Sequence, residues 1–169
     1  DAKMELGYAS SFIQQDIDFY TENVNASTGK LEKNPFTSNR FKLNQQVHAL
    51  YATYSKTSNQ FSYSLGLRTE QSFIESNLVT RDSIIKNQYV NLFPTIHLSY
   101  KLTKGELQLN YSKRVNRPEG DDLNPFPEYL DPINLRSGNP LLKPEYIHSV
   151  EFGYQWKNNV FTVVPSIYY

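Results

Sequence analysis

Hydrophobic and polar residues alternate with a period of two along most of this chain. The pattern is cleanest from Gln60 to Glu70, where Phe61, Tyr63, Leu65 and Leu67 are interleaved with Ser62, Ser64, Gly66 and Arg68. It recurs from Lys3 to Gln14 (Met4, Leu6, Tyr8, Phe12) and from Phe41 to Tyr54 (Phe41, Leu43, Val47, Ala49, Tyr51). Further stretches run from Gln88 to Leu102 (Ile96, Leu98, Tyr100, Leu102) and from Glu106 to Val115 (Leu107, Leu109, Tyr111). The last two are Ile147 to Trp156 (Val150, Phe152, Tyr154, Trp156) and Val160 to Tyr169 (Phe161, Val163, Ile167, Tyr169). Such a period puts each apolar set on one face of a strand. The spacing predicts an all-β antiparallel up-and-down meander of about seven long strands. Pro94, which has no N–H to donate, predicts a bulge or the start of a strand.

The connections alternate in length. Gln15–Arg40, Gln71–Asn87 and Asn116–Glu145 are long and polar, whereas Ser55–Asn59, Thr103–Gly105 and Lys157–Asn159 are short. Consecutive antiparallel strands send alternate connections to opposite ends of a sheet, so the short turns share one end and the long loops the other. That asymmetry, with strands of about ten residues, is the habit of a transmembrane barrel. Phe61, Tyr100, Trp156 and Phe161 lie beside the short turns, as an interfacial aromatic girdle requires. Lys113 falls on the presumed lipid face but toward the long-loop end, where its ammonium reaches the interface. The competing reading is a soluble or surface β-sandwich that binds glycan or protein. It requires the apolar faces to pack on one another.

Composition narrows the function classes. Seventeen basic residues balance 17 acidic ones, which removes any electrostatic case for nucleic acid. Only 38% of residues are hydrophobic, yet 13 are Tyr and 10 Phe, a balance suited to strands with one polar and one aromatic-bearing face. Cysteine is absent, which excludes disulfides and thiol chemistry. No run of about 18 apolar residues exists for a spanning helix. Nor do the first residues show a basic stretch followed by an apolar one. Asp1 precedes a strand pattern directly and Tyr169 falls mid-strand, so residues 1–169 are expected to be a partial barrel segment.

The candidate chemistry concentrates in the loop 116–145. Arg117, Asp121, Asp122, Tyr129, Asp131, Asn134, Arg136 and Asn139 would suit a polar ligand such as a glycan, peptide or metal chelate. Their structural alternative is a set of turn formers, with Arg117 or Arg136 tied to the loop's own carboxylates. On the strands, Arg68, Glu70, Lys101, Arg114 and Glu151 are expected to line a lumen. No catalytic residue, metal site or cofactor is expected. His48, His97 and His148 show no ligand spacing, and Asp121-Asp122 lacks the pattern of a calcium loop. A barrel enzyme would need a Ser or Asp beside a lumen histidine, with His97 and Ser99 the nearest approach in sequence.

Several segments carry a resemblance. They are Ala49-Leu50-Tyr51-Ala52-Thr53-Tyr54-Ser55 before Phe61–Glu70, then Asn91-Leu92-Phe93-Pro94 before Leu98–Leu102. The most specific is Tyr111-Ser112-Lys113-Arg114-Val115-Asn116-Arg117-Pro118. Leu123-Asn124-Pro125-Phe126, Asp131-Pro132 and Gly138-Asn139-Pro140-Leu141-Leu142-Lys143-Pro144-Glu145 follow it in order. Together these resemble the barrel region of TonB-dependent outer-membrane receptors of the Bacteroidetes kind. The resemblance implies a wall of about 22 strands around a plug, in the bacterial outer membrane. It also implies energised uptake of a small nutrient, with outer-membrane lipid as surroundings and the TonB system reached through the absent plug. A segment of wall and outer loop would not transport by itself.

Overall fold

The computed structural model describes residues 1–129, 133–157 and 162–169. In chain order the strands are β1 (Ala2–Phe19), β2 (Glu22–Val24), β3 (Leu31–Lys33), β4 (Asn39–Ser58), β5 (Phe61–Leu78) and β6 (Ser83–Leu102). Then come β7 (Gly105–Asn116), the single helical turn α1 (Gly120–Leu123), β8 (Glu128–Tyr129), β9 (Leu135–Arg136), β10 (Glu145–Lys157), β11 (Thr162–Val163) and β12 (Ser166–Tyr168). The long strands form one antiparallel sheet in the order β1-β4-β5-β6-β7-β10-β11, with β12 also on β10, and this is the expected meander. Among the described residues no pairing joins β1 to β11 or β12, so the sheet is open. Among them, too, no helix is long and apolar enough to cross a membrane.

The turns at the short end are as tight as expected. Ser58 pairs with Phe61 across Asn59-Gln60, and Asn59 takes a positive φ of 48° that its short amide side chain tolerates. Leu102 pairs with Gly105 across Thr103-Lys104. At the other end the expectation fails in one place. Gln71–Asn87 is not a long loop: β5 and β6 stay paired from Phe61↔Tyr100 to Leu78↔Ser83 and are joined by a 3-10 turn, Val79–Arg81. β1 and β4 likewise overrun their expected ends. Four of the strands are therefore 18 to 20 residues long, not about ten. The sequence hides this because the polarity of both faces changes partway up, which erases the alternation while the ladder continues.

Cross-strand partners point their side chains to the same side of a sheet, so the register assigns every residue to a face. One face carries Met4, Leu6 and Tyr8; Leu50, Ala52 and Tyr54; Tyr63, Leu65 and Leu67. It continues through Leu92, Ile96 and Leu98, Leu107 and Leu109, Val150 and Phe152 to Ile167. Leu65, Leu109 and Phe152 are 45%, 38% and 47% exposed. Farther from the short turns this same face turns charged. Arg40 hydrogen-bonds Asp16 at 2.9 and 2.7 Å, and Lys86 pairs with Glu75 at 3.0 Å. The hydrogen bond from Arg40 is the main cause that holds the Asp16 carboxyl down at about 2, below the usual 3.8.

The opposite face inverts in the other sense. Near the short turns it is polar, with Ser62, Ser64, Arg68, His97, Ser99 and Glu106; near the long loops it holds the core. There Phe41, Leu43, Ile74 and Leu78 are buried with Leu123 and Phe126 of the long loop. This corrects the reading of the second strand. Its alternating set Phe41, Leu43, Val47, Ala49 and Tyr51 belongs to the inner face, and Leu50, Ala52 and Tyr54 are the outward residues.

Pro94 produces neither a bulge nor a strand start. The β5–β6 register runs through it unbroken, and the β6–β7 ladder begins at the next residue, Thr95↔Ser112. The final strand keeps one register, with Val163, Ile167 and Tyr169 outward, but is divided at Val164-Pro165. Phe161 lies outside the described residues. On the inner face the Tyr51 side chain lies over Gly7, its cross-strand partner, where a Cβ would collide with the ring. Gly7→Ala should cost ~1–3 kcal/mol by overpacking. Adding Tyr51→Ala should return much of that loss in denaturant unfolding, a coupling that independent sites would not show.

Candidate functional site

The site is the long loop between β7 and β10 together with the inner wall on which it lies. Several contacts hold it there. Arg117 makes an ion pair with Glu70, which is only 5% exposed and also accepts from Arg68 Nε at 2.6 Å. Three residues later α1 begins, capped by Glu119, whose N–H donates to Asp122 Oδ2 at 3.2 Å. Leu123 and Phe126 then pack on the inner face of the tops of β4 and β5. Each such burial is worth ~1.5–3 kcal/mol. Arg81, from the β5–β6 turn, lies 5.0 Å from the Phe126 ring centre. Farther along, Asn87 Nδ2 donates to Pro140 O at 3.3 Å.

Inside the loop the chain doubles back on itself. Gly138 N–H donates to Asn124 O and Asn139 N–H to Asp122 O, both at 2.7 Å. A Cβ on Gly138 would collide with the Asp121 and Asp122 backbone, so only glycine lets the two segments close.

The loop candidates are placed as follows. Arg117 is tied to the wall rather than to a carboxylate of its own loop. Arg136 does take a loop carboxylate, Asp122 Oδ1 at 3.0 Å. Asn139 is a turn former: its Oδ1 accepts from Leu141 N–H at 2.9 Å. Asp121 and Arg136 line a small hollow together with Phe126 and Gly138. Asn134 stands next to β9 and is exposed. Tyr129 supplies backbone to the β8–β9 hairpin; its side chain, and the whole of Asp131, lie outside the described residues.

Arg68, Glu70, Lys101, Arg114 and Glu151 all fall on the inner face by register. Arg68 and Glu70 border a chamber of about 520 Å³ beneath the start of the loop, with Gln15, Gln45 and Arg117. Lys101 stands opposite Glu106, and Glu151 accepts from Asn110 Nδ2 at 3.5 Å. Sequence reasoning missed Leu123 and Phe126 as the residues that turn the loop inward. Their signal was present as isolated apolar residues in a polar loop, Leu123-Asn124-Pro125-Phe126.

Each histidine has a side-chain partner, and His97 also stands opposite Ser64 in the β5–β6 register. His97 Nδ1 lies 3.0 Å from Asn110 Oδ1, on the inner face. His48 and His148 face outward, with Nδ1 at 2.7 Å from the Tyr8 hydroxyl and 3.0 Å from that of Tyr111. His48 also meets the edges of Phe12 and Phe73, and Lys113 Nζ lies 4.6 Å from the Tyr146 ring centre. These residues make a second aromatic row. The first is Tyr54, Phe61, Tyr63, Tyr100 and Tyr154 near the short turns, and the apolar belt lies between the two. From Tyr63 to Phe73 is ten residues, or ~33 Å of strand. At a tilt of about 40° that is ~25 Å along the normal, the height of a barrel's lipid-facing band.

A model of the outer membrane protein β-barrel family matches residues 1–169. The chain belongs to that family. It is a protein of the bacterial outer membrane, and its apolar belt is the surface that meets lipid. The soluble sandwich is thereby set aside, since the aliphatic residues it would pack together face outward. No curated protein matches the chain.

Two outcomes are expected of the barrel segment. Leu109→Arg, at mid-belt, should lower folding stability in lipid by ~2–4 kcal/mol, whereas Asn44→Arg, above the belt on the same face, should be near neutral. Heat-modifiable gel mobility checks both. Glu70→Gln leaves Arg68 and Arg117 without their charge partner and should loosen the loop by ~1–3 kcal/mol, read as faster proteolysis between 117 and 144 in an otherwise folded barrel.

Proposed function

We propose that this chain is wall and outer loop of a TonB-dependent receptor that takes up a small nutrient (a metal chelate, glycan or peptide). The observation that carries the reading is the loop packed into the upper end of the inner face. An open diffusion pore leaves its inner wall solvated. Here Leu123, Phe126 and the Arg117–Glu70 pair cover the upper part of that wall, which supports a reading in which solute passes only when something moves. Moving buried apolar residues and a buried ion pair needs an input of free energy, which coupling to an energised inner membrane supplies. The motifs from Tyr111 to Pro118 and from Gly138 to Glu145, which resemble this receptor class, support the same reading.

In this mechanism the outer loops capture the solute, a plug moves under force transmitted by TonB, and the solute crosses along the polar wall of Arg68, Lys101, Arg114 and Glu151. The loop belongs to the gate as well as to the receptor surface. These 169 residues hold no cysteine, so introduced thiols allow a direct test. Gln15→Cys with Gly120→Cys places thiols on wall and loop at a point where a Cβ on Gly120 meets the Gln15 side chain. Joining them with a short cleavable crosslinker in the intact protein should stop uptake, and cleavage should restore it. Cells lacking TonB should show no uptake by the parent protein. Undiminished uptake in those cells would overturn the proposal.

A further inference from the structure

Above Pro94 the wall has a seam. From Ser83 to Pro94, β6 is paired with β5 alone, because its ladder with β7 starts only at Thr95. The last part of the long loop fills the gap incompletely and leaves a cleft of about 550 Å³. Its walls are mainly apolar, with Ile74, Tyr89, Leu123, Leu142 and Pro144 among them. Gln88 and Tyr146 also line it, and both stand in the outward register, opposite Phe73 and Val115. The cleft therefore runs from the lipid side, at the level of the outer aromatic row, to the core beneath the loop.

Two further features bear on what enters it. Tyr146 donates its hydroxyl to Asn91 Oδ1 at 2.5 Å, while the Tyr89 hydroxyl and Asn91 Nδ2 are buried without a partner among the described residues. Of the two residues, Tyr89 lines the cleft. At the mouth, Lys143 lines the cleft and Lys113 lies over Tyr146; neither forms an ion pair among the described residues. Of the carboxylates nearby, Glu75 is engaged by Lys86, and Glu145 stands opposite Asn116 in the inward register.

We propose that the seam binds one anionic lipid of the outer leaflet. An acyl chain lies along Leu142 and Leu123, an ester carbonyl accepts from the Tyr89 hydroxyl, and the phosphate is held by Lys113 and Lys143. The belt through Val90 and Leu92 leads directly to the cleft, so the molecule already at its mouth is a lipid. Because Leu123 is shared with the core under the loop, the bound chain braces the closed loop. The inference is independent of the transport reading, since it concerns the wall and its bilayer.

The test uses the intact protein, delipidated and titrated by native mass spectrometry with phosphatidylglycerol and with phosphatidylcholine of the same chains. The parent should bind one phosphatidylglycerol in preference to phosphatidylcholine. Lys113→Gln with Lys143→Gln should weaken phosphatidylglycerol about 30-fold, the weight of two lysines near a membrane surface, and leave phosphatidylcholine unchanged. Leu142→Trp, which fills the cleft, should abolish both. Equal binding of the two lipids by the parent would overturn the proposal. So would undiminished phosphatidylglycerol binding by the double variant, or competition of inorganic phosphate alone for the site.

Discussion

A strand that crosses a bilayer must hydrogen-bond its amides to neighbouring strands, because the hydrocarbon offers them nothing. That constraint makes one sheet serve two solvents at once. Side chains alternate across it, so the face that meets lipid and the face that meets the lumen are written into the same run of residues. Leu65 faces out while Ser64 and Gly66 face in, and the register carries this division without a bulge from β1 to β7. The pairing comes first, and the distribution of polarity follows from it.

The division inverts near one level. Past the row formed by Phe12, His48 and Phe73, the outer face exchanges leucines for Lys42, Arg40, Asp16 and Glu75. On the inner face the change runs from Ser64, Arg68 and Glu70 to Ile74, Leu78, Leu43 and Phe41. Both changes have one cause: above the bilayer the outside of the barrel is wet, while the inside has acquired a cover. The loop can fold inward only because the wall there is apolar. The wall can be apolar there only because Leu123 and Phe126 shield it. Glu70 marks the lower edge of the covered region, where the polar wall begins and Arg117 finds its partner.

Much of this was readable in the residues. Alternation located every long strand and, except in β4, its outward residues, among them Leu65, Leu98, Leu109 and Phe152, and the loop bounds 116–145 agree with the end of β7 and the start of β10. What could not be read was the continuation of β5 and β6 above the membrane. A run such as Gln71-Ser72-Phe73-Ile74-Glu75-Ser76-Asn77 presents no constant polar or apolar parity and imitates a loop. The same inversion disguised Phe41 and Leu43 as outward residues. The loop candidates were legible as residue types but not as roles. Whether Arg117 meets a loop carboxylate or one on the wall depends on which way the loop folds, and local spacing does not encode that.

The central claim is that one face of this sheet meets lipid up to the second aromatic row and water beyond it. Single cysteines placed through β5 at Ser64, Leu65, Leu67, Glu75 and Asn77, spin-labelled in the intact protein in a bilayer, measure it most directly. The account predicts high collision with oxygen and low collision with a water-soluble nickel chelate at positions 65 and 67. It predicts the reverse at 75 and 77, and little of either at 64. Labels at 65 and 67 that are shielded from both reagents, or no change of reagent between 67 and 75, would contradict it.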